Sequence, residues 1–186
     1  RSSDLTLVEA MESLCSQAFT DWELVIVDDG STDASKDIIQ VYKTRDPRIR
    51  IINRARCGIV EALETAAKNA HGPLLARMDA DDIALPNRLE AQVALFDAMP
   101  DIALCGTRVR IFGSNLGSGR KRYESWINSL VGHEEMEREI LVECPIPHPT
   151  FMMPREVYDA VGGYRDCGWP EDYDLALRIW QHGGLF

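Results

Sequence analysis

The chain has 186 residues, 45% of them hydrophobic and 27% charged, with a formal net charge of −10. That length suits one domain with a sizeable core, and that composition excludes a disordered tail. So acidic a chain is a poor general binder of nucleic acid, because phosphates must be met by Lys and Arg, and its apolar runs are too short to span a membrane.

In chain order, Leu7, Val8, Met11, Leu14, Cys15 and Ala18 recur at helical spacing, with Ser3 or Asp4 as a cap. Glu23 to Val27 is a short β-branched run that predicts a buried strand. Gly30 permits a turn, Ser31 or Thr32 can cap the next helix, and Asp33 suits its positive end. That helix directs Ala34, Ile38, Val41 and Tyr42 inward. Arg48 to Asn53 reads as a strand, Ile59 to Ala70 as a helix ended by Gly72, and Pro73 to Met78 as a strand. Leu89, Val93 and Phe96 give a helix that stops before Pro100. Ile102 to Phe112 predicts a longer strand with Gly106 as a bulge. Helix and strand thus alternate over Leu5 to Asp82, which predicts an α/β fold with a mostly parallel sheet flanked by helices.

The second part is less regular. "GSNLGSGRKRYE", Gly113 to Glu124, is basic and rich in Gly and Ser. It fits no G-x-x-x-x-G-K-[ST] register, so it reads as a solvated connection, with a phosphate-cradling loop as the alternative. Trp126 to Val142 predicts a helix, Cys144 to Met153 a proline-rich stretch leading to a short strand, and Pro154 to Ala160 a short helix. Gly162-Gly163 marks a turn, and a last helix opens near Pro170 and ends at Gly183. Cys15, Cys57, Cys105, Cys144 and Cys167 are dispersed without C-x-x-C spacing, which argues for reduced thiols and a cytoplasmic setting. No histidine pair has zinc spacing. No signal-peptide pattern is present, and the abrupt start at Arg1 suggests that the natural N-terminus lies upstream.

Two strand ends carry clustered acids. "VIVDDGSTD" (Val25 to Asp33) stops at Asp28-Asp29, and "LLARMDADD" (Leu74 to Asp82) stops at Asp79-Ala80-Asp81-Asp82. In an open parallel sheet, ligands sit beyond the carboxyl ends of the strands. Several carboxylates on one rim repel by several kcal/mol at about 4 Å, so a cation should offset them. Oxygen-only donors favour a hard ion, Mg²⁺ or Mn²⁺, which keeps positions open for a substrate diphosphate. The bland alternatives are turn and cap chemistry for Asp28-Asp29 and a calcium loop for the second cluster. The calcium loop fails because Ile83 and Ala84 stand where Asp or Asn and Gly are needed. Glu171-Asp172 opens the last helix; it is either a dipole-stabilised first turn or a general base that takes a proton from an acceptor hydroxyl.

The stretches "WELVIVDDGSTD", "ARMDADDIALPNRLEAQV", "HPTFMMPREVYDAVGGY" and "WPEDYDLALRIWQHG" together resemble, in order and spacing, the family 2 glycosyltransferases of the GT-A fold. The resemblance runs from about Val8 to Phe186. It implies an inverting transferase that moves a sugar from a nucleotide-sugar, usually a UDP-sugar, to a saccharide or lipid-linked acceptor, with Mg²⁺ or Mn²⁺. Carried over by residue, it implies nucleotide contacts from Asp28, Asp29 and Asp79, metal contacts from Asp79 and Asp81, a loop-supporting role for Asp82, an acceptor-side role for Glu171 and the base role for Asp172. Arg77 would either neutralise the diphosphate or pair with Asp29 or Asp79. His148 stands where some relatives approach the metal or acceptor, although a lone His between prolines is more often structural.

The resemblance further implies one domain over 1–186, with a nucleotide-binding half (1–112) and an acceptor-side half (113–186), cut from a longer protein at both ends. The family's opening strand and loop are missing ahead of the first helix. Arg56 and Glu64 stand where relatives often carry Asn, which puts nucleotide contacts from that loop in question. Polysaccharide and lipid-linked acceptors are compatible with peripheral attachment at the cytoplasmic membrane face, but no segment marks it. The alternative is a non-catalytic module of the same fold that binds a nucleotide or a partner.

Overall fold

Strand and helix alternate through the first part of the chain as the periodicity predicts. The computed structural model describes residues 3–113 and 116–186. The side chains expected as caps at Ser3 and Asp4, and Ser114-Asn115 of the Gly/Ser-rich stretch, lie outside what is described. The elements are α1 (Ser3–Cys15), β1 (Leu24–Asp28), α2 (Ser35–Arg45), β2 (Ile49–Asn53), α3 (Ile59–Asn69), β3 (Leu74–Ala76), α4 (Arg88–Ala98), α5 (Ser118–Ile127) and α6 (His133–Glu139). A 3-10 turn (His148–Thr150), β4 (Met152–Pro154), α7 (Arg155–Ala160) and α8 (Glu171–Gln181) complete the chain.

β1 and β2 pair in parallel, from Leu24 opposite Ile49 to Asp28 opposite Asn53. Their carboxyl ends therefore share one rim, which carries Asp28 and the start of the loop before α3. β3 pairs antiparallel with β4, Leu74 opposite Pro154 and Ala76 opposite Met152. This second pair matters for function: it lays the proline-rich stretch beside the chain that leaves β3 toward Asp79, and the Arg77 amide donates to Phe151 O at 2.8 Å.

Three apolar clusters hold the elements. One joins Leu7 and Met11 of α1 to Ile39 and Tyr42 of α2 and Ile49 of β2. A second packs Leu89 and Phe96 of α4 on Ile102, Cys105 and Met152. The largest gathers Leu104, Ile140, Ile146, Phe151, Tyr158, Leu175 and Ile179, with Val60, Leu63 and Ala67 of α3 packed against it. In α2 the inward residues are Ile39 and Tyr42, while Val41 is exposed. Expected as buried, β1 is half-buried from Leu24 to Val27, and among the described residues it is paired along one edge only.

Four further expectations need correction. Residues 102–112 do not form a strand: they make isolated bridges, Ile102 to Leu185 and Cys105 to Met152. Gly106 is no bulge but a close-approach site, since an added Cβ would fall 2.2 Å from Ile146 Cγ2 and 2.7 Å from Thr150 Oγ1. The stretch expected as a solvated connection turns helical at Ser118, and α5 runs on to Ile127, whose side chain is buried. The helix expected over Trp126 to Val142 is broken, because the chain turns at Ser129 to Gly132 before α6 starts.

Candidate active site

Asp28 and Asp29 are adjacent but play different parts. Asp28 is 4% exposed; its Oδ1 accepts the Ser31 N–H at 3.0 Å, and Oδ2 faces Lys36 Nζ at 3.5 Å. Burial would raise its carboxyl, but the Ser31 and Lys36 contacts outweigh that and hold it below the ordinary value. Asp28 therefore builds the turn. Asp29 points to the rim. Its Oδ1 accepts from the Cys57 amide at 2.7 Å and the Cys57 thiol at 2.9 Å, and Oδ2 accepts from the Gly58 amide at 3.0 Å. One carboxylate thus fixes the loop ahead of α3 and satisfies backbone donors at its N-terminus. Gly30, with φ +79°, lets the turn pass close to the Arg56 backbone.

The Asp79–Asp82 loop hangs from a scaffold of buried polar side chains. Ser13 Oγ accepts the Ala84 N–H at 3.1 Å. Gln17 donates to Leu85 O at 2.8 Å and accepts from the Leu89 amide at 3.1 Å. Arg88, buried at the start of α4, donates to Arg77 O at 2.7 Å and to Gln92 Oε1 at 3.0 Å. Burial lowers its guanidinium to about 10. The loop is thereby tied at both ends to α1 and α4, while Asp81 stays exposed. Asp79 pairs with Arg77 Nη2 at 2.5 Å. Of the two partners the sequence allowed for Arg77, the structure selects Asp79. Asp82 is pushed up by burial and by the Asp79 and Asp81 charges, so negative charge is concentrated here without full compensation.

Arg77 leads to the far side of the site. Its side chain is buried, and Nε and Nη1 have no hydrogen-bond partner among the described residues. Its charge acts on both His148 and Tyr164. His148 Nε2 lies 2.8 Å from the Tyr164 hydroxyl, and Nδ1 lies 3.7 Å from Glu171 Oε1. Burial, helped by Arg77, lowers the imidazole to about 3. The His148–Glu171 contact is therefore that of a neutral ring rather than an ion pair. With Nδ1 protonated toward Glu171, Nε2 is free to accept from Tyr164. The Tyr164 phenol is raised by burial, and the charges of Asp172, Glu171 and Asp79 add to that. Asp79 and the Glu171-Asp172 pair thus flank one tyrosine. Glu171 and Asp172 are both half-buried at the start of α8, behind Pro170.

A cleft of about 660 Å³ separates α3 from the segment leading into α8. Cys57 and Gly58, which bind Asp29, line one wall; Tyr164, Trp169 and Glu171 line the other. Glu64 braces the cleft by bridging the Tyr158 hydroxyl and the Tyr164 amide. Asp81 does not line it. Among the described residues, no three His, Cys, Asp or Glu side chains are grouped to hold a metal alone. The chain fits a divalent cation only in the sparser mode, one or two carboxylates with substrate phosphates completing the shell.

Several site residues escape sequence reasoning. Ser13, Gln17 and Gln92 look like ordinary helix-surface residues, and only their burial shows that they hold the loop. Tyr164 closes one of the stretches that carry the family resemblance and Glu64 departs from the family's usual Asn, but neither signals that the two meet across the cleft. Trp169 and Gly168, next to the Glu171-Asp172 pair, offered the nearest readable signal.

The comparisons with known proteins bear on the family and the fold. The sequence profile described as "Glycosyl transferase family 2" matches residues 3–162, a span that stops before Glu171-Asp172. EpsE of Bacillus subtilis is 32% identical over 184 residues, a match covering 96% of this chain and 63% of EpsE. The O-antigen biosynthesis glycosyltransferase WbnJ of Escherichia coli is 30% identical, covering 91% of this chain and 65% of WbnJ. This chain therefore spans less than two thirds of these relatives. Among solved structures, the mannosyltransferase PcManGT of Pyrobaculum calidifontis, in complex with GDP-Man and Mn²⁺, superposes with a TM-score of 0.73 at 18% identity, covering 97% of this chain and 50% of that one. S. aureus TarS in complex with UDP-GlcNAc gives 0.73 at 19% identity, covering 95% and 50%. Those two likenesses establish the GT-A fold. The chain belongs to glycosyl transferase family 2.

Proposed function

We propose that the chain forms the core of an inverting glycosyltransferase that moves a sugar from a nucleotide-sugar, most simply a UDP-sugar, to a saccharide or lipid-linked acceptor at the cytoplasmic face of a membrane. The observation that carries this reading is the cleft between the loop bound by Asp29 and the segment that carries Glu171. The relatives named for O-antigen synthesis and the neighbours bound to GDP-Man with Mn²⁺ and to UDP-GlcNAc support the substrate class.

In this reading Asp29 keeps lone pairs for the base: its two oxygens offer about four acceptor sites, three of which meet the Cys57 and Gly58 donors. Asp79, held by Arg77, would contact the ribose, and Asp79 and Asp81 would hold a divalent cation. When bound, that cation neutralises charge on the leaving diphosphate. Asp172 takes the proton of the acceptor hydroxyl. The acceptor oxygen bonds to the anomeric carbon from the face opposite the departing diphosphate oxygen, and the configuration inverts. Neutral His148, on the Tyr164 hydroxyl, lies 3.7 Å from Glu171, next to the base in sequence.

The test is transfer by the full-length protein in a screen of nucleotide-sugars. Asp172→Asn is expected to keep UDP affinity and lose transfer by about 10²–10⁴-fold, the usual contribution of a general base. Undiminished transfer in that variant removes Asp172 from the role. Nucleotide binding without transfer by the unmodified protein favours the binding-module alternative.

A further inference from the structure

Between Thr107 and Tyr123 the chain departs from its own charge balance. Residues 108–122 contain Arg108, Arg110, Arg120, Lys121 and Arg122 and no Asp or Glu, in a protein of net charge −10. All five cations are exposed. None is ion-paired with a carboxylate among the described residues.

Two pieces of backbone are strapped together here. The Val109 amide donates to Asn128 Oδ1 at 2.8 Å, and Asn128 Nδ2 donates back to Val109 O at 2.7 Å. The Ile111 amide donates to Glu124 Oε2 at 2.7 Å, and Arg108 Nε donates to Asn128 O at 3.2 Å. The strap 107–112 therefore runs along α5, which carries the other three cations. Glu124, the nearest acid in sequence, is engaged on the Ile111 amide. Phe112 and Tyr123 are 45% and 43% exposed among these cations. Val131, 64% exposed, lines the same small recess as Arg108.

A merely solvated face gains nothing from Val131, and a nucleic-acid backbone would leave it unused. Anionic headgroups over a hydrocarbon layer match both the cations and the apolar side chains. Acids more than about 10 Å from this face are largely screened at ordinary salt; of the nearer ones, Glu124 is engaged on the Ile111 amide, and Glu143 and Asp172 act on Tyr123. We propose that the face formed by 107–112 and α5 docks on a lipid bilayer bearing anionic headgroups, with the five cations on the phosphates and Phe112 and Tyr123 at the interface. The Asp172 and Glu143 charges act on Tyr123. Docking would then set Asp172 at the bilayer surface, where a lipid-linked acceptor is carried. That last step rests on the function proposed above; the docking does not.

Co-sedimentation of the full-length protein with vesicles tests the proposal. Binding is expected to vesicles of phosphatidylcholine and phosphatidylglycerol in equal parts, not to phosphatidylcholine alone, and to weaken as salt is added. Each cation near such a surface contributes about five-fold, so R120A/K121A/R122A is expected to weaken partitioning on the order of a hundred-fold. Equal binding to both vesicle types, unchanged binding by the triple variant, or retention on a DNA duplex with no vesicle binding would each overturn it. UDP titration of the same variant reports the active site separately. Intact UDP binding with lost vesicle binding supports the docking face, whereas vesicle binding without any UDP binding counts against the enzyme reading alone.

Discussion

His148 is a buried imidazole that stays neutral, and this has a cost that depends on pH. Its folded value, about 3, lies below the ordinary 6.5 because burial, and then Arg77, disfavour the charged ring. The unfolded chain therefore takes up a proton below pH 6.5 that the folded chain refuses, so stability falls as pH drops from 6.5 toward 3. Between about pH 7 and about pH 5 this residue alone should remove about 2 kcal/mol. Urea unfolding at the two pH values should show that loss in the parent protein, with most of this contribution absent in His148→Gln. An equal pH dependence in both proteins would mean that the ring is not held neutral. Asp174 acts in the same direction at lower pH. Burial would raise it, but hydrogen bonds from Arg165 and Arg178 outweigh burial and hold it below its ordinary 3.8. Its contribution is present above that value and is lost as pH falls below it.

At the scale of elements, the 102–112 segment shows what local pattern can and cannot reveal. Its β-branched alternation is real, but its bridging partners, Leu185 and Met152, come from distant parts of the chain and meet it at single points. No local feature of the segment indicates that its partners are so sparse. Gly106 read as a bulge for the same reason; its absent side chain instead leaves room for Ile146 and Thr150. Gly106→Ala should cost about 1–3 kcal/mol in a thermal or urea melt, the usual penalty of overpacking. A change below a few tenths of a kcal/mol would show that the Ile146 side chain gives way freely. α5 was hidden by the glycines at its start: Gly117 is its extended N-cap, and Gly119 opposes helix by about 1 kcal/mol. Burial of Ile127 and the bonds from Asn128 and Glu124 to the 107–112 strap favour the helix, and all of these are tertiary. By contrast α3 and α8 were legible, because one face of each packs on the largest cluster and leaves a helical period in the sequence.

For the molecule as a whole, the acidic strand ends were legible and the wiring between them was not. Strand ends that stop at Asp28-Asp29 and before Asp79 could be read directly, since an apolar run followed by acids is a local signal. That Asp29 would serve the loop at Cys57 and Gly58 follows from the parallel pairing of β1 with β2, and that His148 would meet Tyr164 and Glu171 in the field of Arg77 follows from the antiparallel pairing of β3 with β4. That pairing joins segments far apart in sequence and has no local signature. Of the predicted site acids Glu171 alone lines the cleft, and the proposed chemistry depends on Asp29, Asp79, Asp81 and Asp172 meeting the substrates at its margin. The most direct test of that chemistry is titration calorimetry of the protein with UDP, with and without Mn²⁺. The account predicts heat of binding that requires the metal and disappears in Asp81→Ala. Equal affinity with and without Mn²⁺, or full metal-dependent binding in Asp81→Ala, would contradict it.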